Sequence, residues 1–255
     1  MKKGITETDW FVGLDVHAAT IAVAVAEANG GEVRSVETIP NRPQSIRKLV
    51  GKLRASGKRW RACYEAGPTG YVLYWELAGL GIDCQVVAPT LVPVKAGDRV
   101  KTDGRDAQRL AQGLRAGDLT AVWVPDVAHE ALRDLVRARE AAKADQLRAR
   151  HRLGKLLLRQ GRYAPSGTRP WTDRYMSWVR SQKFEEVAQQ LTLEDYLGEV
   201  DHMGQRIKRL EAAIDEAIEA APESMKAVVA ALQALRGVAK MTAVTIVSEV
   251  GQLSR

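Results

Sequence analysis

A chain of 255 residues, 45% hydrophobic and 27% charged with a formal net charge of +7, is long enough for one large domain or two ordinary ones with buried cores. No run approaches the roughly 18 apolar residues of a membrane span, and the opening MKKGITETDWF lacks an apolar signal core, so the sequence argues against membrane insertion and export and predicts a cytoplasmic protein. Cys63 and Cys84 form no CxxC pair and His17, His129, His151 and His202 lack ligand spacing, which argues against a disulfide framework and a structural zinc site.

The first third alternates strands and helices. WFVGLDVH (10–17) and TIAVAVAE (20–27) are apolar and rich in β-branched residues, the Ala-Asn-Gly-Gly run at 28–31 supplies a tight turn, and EVRSVETI (32–39) alternates like an edge strand. A helix over about 44–56, a strand at 59–65, a helix from Pro68 to Ala78 and a strand at 83–88 complete the pattern. Pro68 suits a first helical turn. Three strands joined by short turns, then strand–helix–strand–helix, predict a mixed sheet with helices packed on it, in the element order of an RNase H-like domain. A Pro- and Gly-containing stretch (89–97) leads into a helix at about 103–115.

From Val127 to Gln160 the absence of Pro predicts one long basic helix, and GRYAPSGTRP (161–170) breaks it. Residues 194–220 then place Leu197, Val200, Met203, Ile207, Leu210, Ile214 and Ala217 at steps of three and four, a heptad seam implying a helix pair within the chain or between chains. Pro222 ends that helix, and the last stretch predicts two helices around Gly237. The division expected is a sheet domain over 1–125, a basic and coiled-coil region over 126–221, and the start of a helical C-terminal domain over 222–255. The fold class is α/β plus α.

Asp15 is the most informative residue, because alternation sets it inside an apolar strand on the face of Phe11, Gly13 and His17. A buried carboxylate costs several kcal/mol, on the order of the desolvation penalty of an ion, unless something positive compensates it. Glu65 closes the apolar strand RWRACYE, and Asp103 and Asp106 share a face at a helix start. Together the four could hold two Mg²⁺ ions about 3.5–4 Å apart, which would activate one oxygen of a phosphodiester reaction and stabilise the other. Each has a plainer reading: Asp103 as a helix cap with Asp106 at its third position, Glu65 as a solvated strand end. Capping cannot account for Asp15.

The strings FVGLDVHAATIAVAVAE, YEAGPTGYVLYWELAGLGIDCQVVAPTLVPVK and KTDGRDAQRLAQGLRAGDL resemble the catalytic domain of the DEDD insertion-sequence transposases, also known as bridge-RNA-guided recombinases. The resemblance runs through about the first 125 residues. It implies an RNase H-like (RuvC-like) fold and a transposase that cleaves and joins DNA. Asp15, Glu65, Asp103 and Asp106 would then be the catalytic Mg²⁺ ligands, with Mn²⁺ able to substitute. It also implies element and target DNA and a noncoding guide RNA as partners, a homo-oligomer, and action at the nucleoid. Lys101 belongs to the matching string, where a phosphate contact and a solvated lysine are both open.

Between Arg133 and Arg162 ten lysines and arginines face three acidic residues, an excess of seven that equals the net charge of the whole chain. Arg133, Arg137, Arg139, Lys143, Arg148, Arg150, Arg152, Lys155 and Arg159 spread over several helix faces, and few acidic residues stand four positions away. Contact with a nucleic-acid backbone is therefore expected, positioning a polyanion without reading its sequence. A solvated charged helix is the plain alternative. LRGVAKMTA (235–243) resembles a helix-hairpin-helix turn, with Ala239 where the second glycine usually stands. It equally resembles the opening of the family's C-terminal domain, which carries a nucleophilic serine. No serine here, Ser248 and Ser254 included, sits in that motif, so the chain is expected to be shortened and incomplete for recombination. A RuvC-like junction nuclease and a non-catalytic nucleic-acid-binding remnant are the rival readings. A sugar-kinase or ATPase fold is disfavoured because no glycine-rich phosphate loop follows Asp15.

Overall fold

The computed structural model describes residues 8–88 and 103–251, without the side chain of Asp103. The chain divides into two compact units, residues 1–124 and 125–255.

The first unit is built on β1 (Trp10–Val16), β2 (Thr20–Glu27), β3 (Arg34–Pro40), β4 (Trp60–Glu65) and β5 (Asp83–Val87). They form one mixed sheet in the order β3-β2-β1-β4-β5. The two hairpin pairs are antiparallel and β1-β4 and β4-β5 are parallel. The parallel links require crossovers, which α1 (Pro43–Ala55) and α2 (Val72–Gly79) supply.

Alternation along the central strands separates two cores. Val12, Leu14, Ile21, Val23, Val25 and Tyr64 face Ile46, Leu49 and Leu53 of α1 and Leu73 and Leu77 of α2. The opposite face carries Phe11, Ala22, Ala24, Ala26 and Cys63, under Ala107, Leu110, Ala111 and Leu114 of α3 (Asp103–Ala116). Large residues therefore cover one face while alanines line the other, which lets α3 lie close to the sheet. The expected helix from Pro68 starts instead at Val72, with residues 68–71 forming a turn. Gly70 has φ +66° and its N–H donates to the Gly67 carbonyl, a left-handed turn that an α-helix cannot contain. The Pro- and Gly-containing stretch at 89–97 lies outside the described residues.

In the second unit α4 (Val127–Arg159) and α6 (Val187–Glu219) are each 33 residues long. Asp126 caps α4 by accepting from the His129 N–H at 2.8 Å, and α5 (Asp173–Ser181) follows the break. The two long helices run antiparallel. Leu132 and Val136 of α4 pack with Ile214 and Ile218 of α6, whereas Leu153, Leu156 and Leu157 pack with Leu193 and Val200. Four residues of the expected seam, Leu197, Val200, Ile214 and Ala217, lie in these two clusters. The first of these clusters also takes up Met225 and Val229 of α7 (Glu223–Gln233) and Ala243, Val244 and Val247 of α8 (Lys240–Val250). Between the clusters, ion pairs also join the two helices: Arg139 meets Glu211 and Arg206 meets Asp145.

Candidate active site

β1 and β4 run parallel with Leu14 beside Tyr64, so Asp15 and Glu65 are the next residue on each strand. Gly13 stands beside Cys63 in the same register, and both lie under α3: the Cys63 thiol donates to the Leu110 carbonyl at 3.4 Å. Two residues further along each strand, Asp15 and Glu65 point to this same α3 face.

The orientation of α3 follows from its ends. Arg115, in its last turn, donates to the carbonyls of Glu27 and Gly31, and Glu27 pairs with Trp10 at the start of β1. The first turn of α3 therefore lies toward the end of β1 that holds Asp15. Asp106 immediately precedes Ala107, the residue seated on Gly13, and makes an ion pair with Arg109 at 3.3 Å.

Asp15 is about four-fifths buried, and its Oδ2 is 3.2 Å from His17 Nε2. Asn41 donates to the His17 carbonyl at 2.8 Å and its own N–H donates to the Ala19 carbonyl, which fixes the turn after β1. His17 was visible in the sequence only as a residue on the face of Asp15. Its contact with that carboxylate, and the anchoring role of Asn41, emerge from the turn.

Among the described residues, no three of His, Cys, Asp and Glu lie close enough to hold a metal ion. The Asp103 side chain, Lys101 and Ser254 lie outside that description. The donor set nevertheless suits a hard divalent cation in its chemistry. It consists of carboxylate oxygens, carried by adjacent strand ends and by the helix that covers their face.

Most of the basic residues of α4 have partners, some one turn away on the helix and others distant in sequence. Arg137 holds both carboxylate oxygens of Glu249 at 2.8 Å, and the buried Arg133 donates to the Ser248 carbonyl at 2.8 Å. Arg139 binds Glu211 at 2.7 and 2.9 Å, Lys143 lies 3.8 Å from Glu140, Arg148 pairs with Asp145, and Arg152 pairs with Glu199. Arg150 stacks on Trp171, with its guanidinium carbon 5.3 Å from the ring centre. Lys155 and Arg159 are exposed and have no acidic partner among the described residues. Ser248 is fully buried and its hydroxyl donates to the Thr245 carbonyl at 3.0 Å, a helix-internal bond.

No helix among the described residues is long and apolar enough to cross a membrane. A family model described as a transposase, of the DEDD type and the IS110 group, matches residues 12–160. The chain is 45% identical over 247 residues to the putative transposase y4qE of Sinorhizobium fredii, covering 96% of this chain and 59% of that one. It is 34% identical over 241 residues to the transposase for insertion sequence element IS1533 of Leptospira borgpetersenii, covering 94% and 69%. With a match across more than half of its length and relatives at this level of identity, the chain belongs to the IS110-type DEDD transposases.

Proposed function

We propose that the sheet unit is an RNase H-like (RuvC-like) catalytic domain that cleaves and joins DNA strands for a mobile insertion sequence, using a divalent metal held by Asp15, Glu65, Asp103 and Asp106. The observation that carries this reading is the shared α3-facing side of Asp15 and Glu65 at adjacent ends of two parallel strands. Two carboxylates brought together in this way repel each other in a low-dielectric setting unless a cation offsets them. Mg²⁺ fits the oxygen donors, and Mn²⁺ would substitute. The bound cation would supply Lewis acidity toward a phosphodiester oxygen. Asp15 and Glu65 would orient it from the strands, Asp103 and Asp106 from the first turn of α3, and His17 would hold the Asp15 carboxylate.

The rest of the reading rests on family resemblance. The partners are element and target DNA, a noncoding guide RNA held by shape and backbone contacts, and further copies of the same chain in a homo-oligomer. The α4–α6 pair is read as the coiled-coil region. Of the basic residues on α4, Lys155 and Arg159 are best placed for backbone contact, because Arg150 stacks on Trp171 and carboxylates engage the others. The nucleophilic serine is assigned to none of these 255 residues.

Calorimetric titration with Mn²⁺ tests the site. Binding that disappears in Asp15→Asn, with the melting profile intact, is the expected result. Equal binding by both proteins would sink the metal assignment. Metal-dependent nicking of branched DNA by the chain itself would favour a junction nuclease instead.

A further inference from the structure

We infer that α4, α5 and α6 line an open pocket for one unpaired nucleotide, its base stacked on the Arg150–Trp171 pair and its phosphate met by Lys208. This rests on the reading of the chain as a nucleic-acid enzyme, but it concerns a site apart from the carboxylates. The pocket has a volume of about 470 Å³, within the range of roughly 300–1,000 Å³ typical of small-ligand sites.

Its position follows from the helix pair. Between its two apolar clusters, α6 has Gly204 where a Cβ would stand 3.5 Å from the Gln146 amide nitrogen of α4. The missing side chain leaves a polar notch, which the segment entering α5 closes from the side with Trp171.

Three observations at this notch point to a flat, anionic ligand with hydrogen-bond acceptors. Trp171 is the only residue other than glycine with positive φ among the described residues, at +65°. The left-handed backbone is unfavourable for a bulky residue, and such strain persists where the surroundings impose it, often at ligand sites. Here the indole lies under the Arg150 guanidinium, with Tyr175 edge-on at 5.1 Å between ring centres.

Arg150 itself is the second observation. Its Nε is buried and has no hydrogen-bond partner, whereas its neighbours Arg148 and Arg152 each hold a carboxylate. No ion pair occupies the Arg150 guanidinium among the described residues, and a planar cation stacked on an indole suits a flat ligand.

The rim gives the third. Lys208 is exposed with no acidic partner among the described residues, while Arg180 is occupied by Asp201 at 2.8 and 3.0 Å. The lining carries Arg150, Arg180 and Lys208 against Asp173 and Asp201, and a stacking plane with this small positive excess suits a base and its phosphate. Bases stack on aromatic rings and on guanidinium planes only when they are unpaired, because a duplex hides their faces.

The test uses fluorescence anisotropy of the full chain with labelled oligonucleotides of about twelve nucleotides in one sequence: single-stranded RNA, single-stranded DNA and duplex DNA. Arg150→Met keeps the unbranched stem and removes the guanidinium, and Lys208→Gln changes only an exposed residue. Single-strand affinity is expected to fall about ten-fold in Arg150→Met, in line with the loss of one stacking platform, and about three-fold in Lys208→Gln. Duplex affinity should stay constant in both. A larger loss with RNA would assign the pocket to an RNA strand, and a larger loss with DNA to an exposed DNA strand. Absence of single-strand binding, unchanged single-strand binding in the variants, or an equal fall for duplex would overturn the proposal. Should Arg150→Met fail to fold, Lys208→Gln decides on the same criteria. Mn²⁺ binding at Asp15 is measured independently, so either reading can fail alone.

Discussion

A Cβ on Gly13 would stand 2.1 Å from the carbonyl oxygen of Ala107, so α3 rests on the backbone of β1 with no side chain between them. The same Cβ would lie 2.4 Å from the Ala111 nitrogen, and both alanines are fully buried. This contact sets the height of α3 above the strand that carries Asp15, two residues along. In Gly13→Ala the methyl meets backbone rather than a flexible side chain, so the helix must shift. We expect a loss of about 1–3 kcal/mol in stability, typical of overpacking. We also expect weaker Mn²⁺ binding although every carboxylate is retained. Thermal melting and calorimetry check both, and a variant with wild-type values in each would show that α3 is not fixed by this contact.

The ion pairs on α4 separate two kinds of arginine. Arg139 is only 12% exposed in its side chain and is bound by Glu211 of α6, so Arg139→Gln should cost roughly 1–3 kcal/mol by leaving a part-buried carboxylate without its partner. Its effect on nucleic-acid affinity should be small. Lys155→Gln and Arg159→Gln should do the reverse, leaving the melting temperature unchanged and each lowering the slope of log affinity against log salt by about one. Denaturation curves and salt titrations of the three variants would reject this division if Arg139→Gln proved to change the salt slope most.

What the sequence could and could not reveal follows from the range of the interactions. The five strands were legible because β-branched alternation is local, and α4 because thirty-three residues without proline need no distant help. Pro68 misled because a residue suited to a first helical turn also suits a tight turn, and Gly70 decided between them. The arginine partners were hidden by distance: Arg152 finds Glu199, Arg139 finds Glu211 and Arg137 finds Glu249, pairs 47, 72 and 112 residues apart. Local spacing around α4 could not supply them. Gly13 was visible as a small residue in a strand, but nothing near it announced a helix more than ninety positions later. Asp15 was legible because a carboxylate inside an apolar strand contradicts its surroundings.

Both cysteines are buried, on opposite faces of the sheet. Burial raises the Cys63 thiol well above its ordinary range, with Cys84 adding to the shift, and pushes Cys84 up to about 12. The thiolate is the reactive form, so neither should react with a thiol reagent in the folded protein at pH 8. Both should react at once in denaturant. Rapid labelling of the native chain at either position would contradict this packing.

Acid stability should depend on the attachment of α8 to α4. The Glu249 carboxylate is held below its ordinary value of 4.5, first by the hydrogen bonds from Arg137 and then by the charges of Arg137 and Arg133. A depressed carboxylate contributes stability that is fully present above its unfolded value and is lost as pH falls through the folded one. Glu249→Gln should therefore melt below the wild type at pH 7, and the gap should close as pH falls from about 5 toward 3. Because Glu249 is 37% exposed, solvent screening limits the gap to about 1 kcal/mol or less. Arg133 keeps its bond to the Ser248 carbonyl in the variant, so the buried guanidinium is not stranded. Melting curves across this range are decisive: a gap that stays constant with pH would mean that Glu249 acts through packing rather than through its charge.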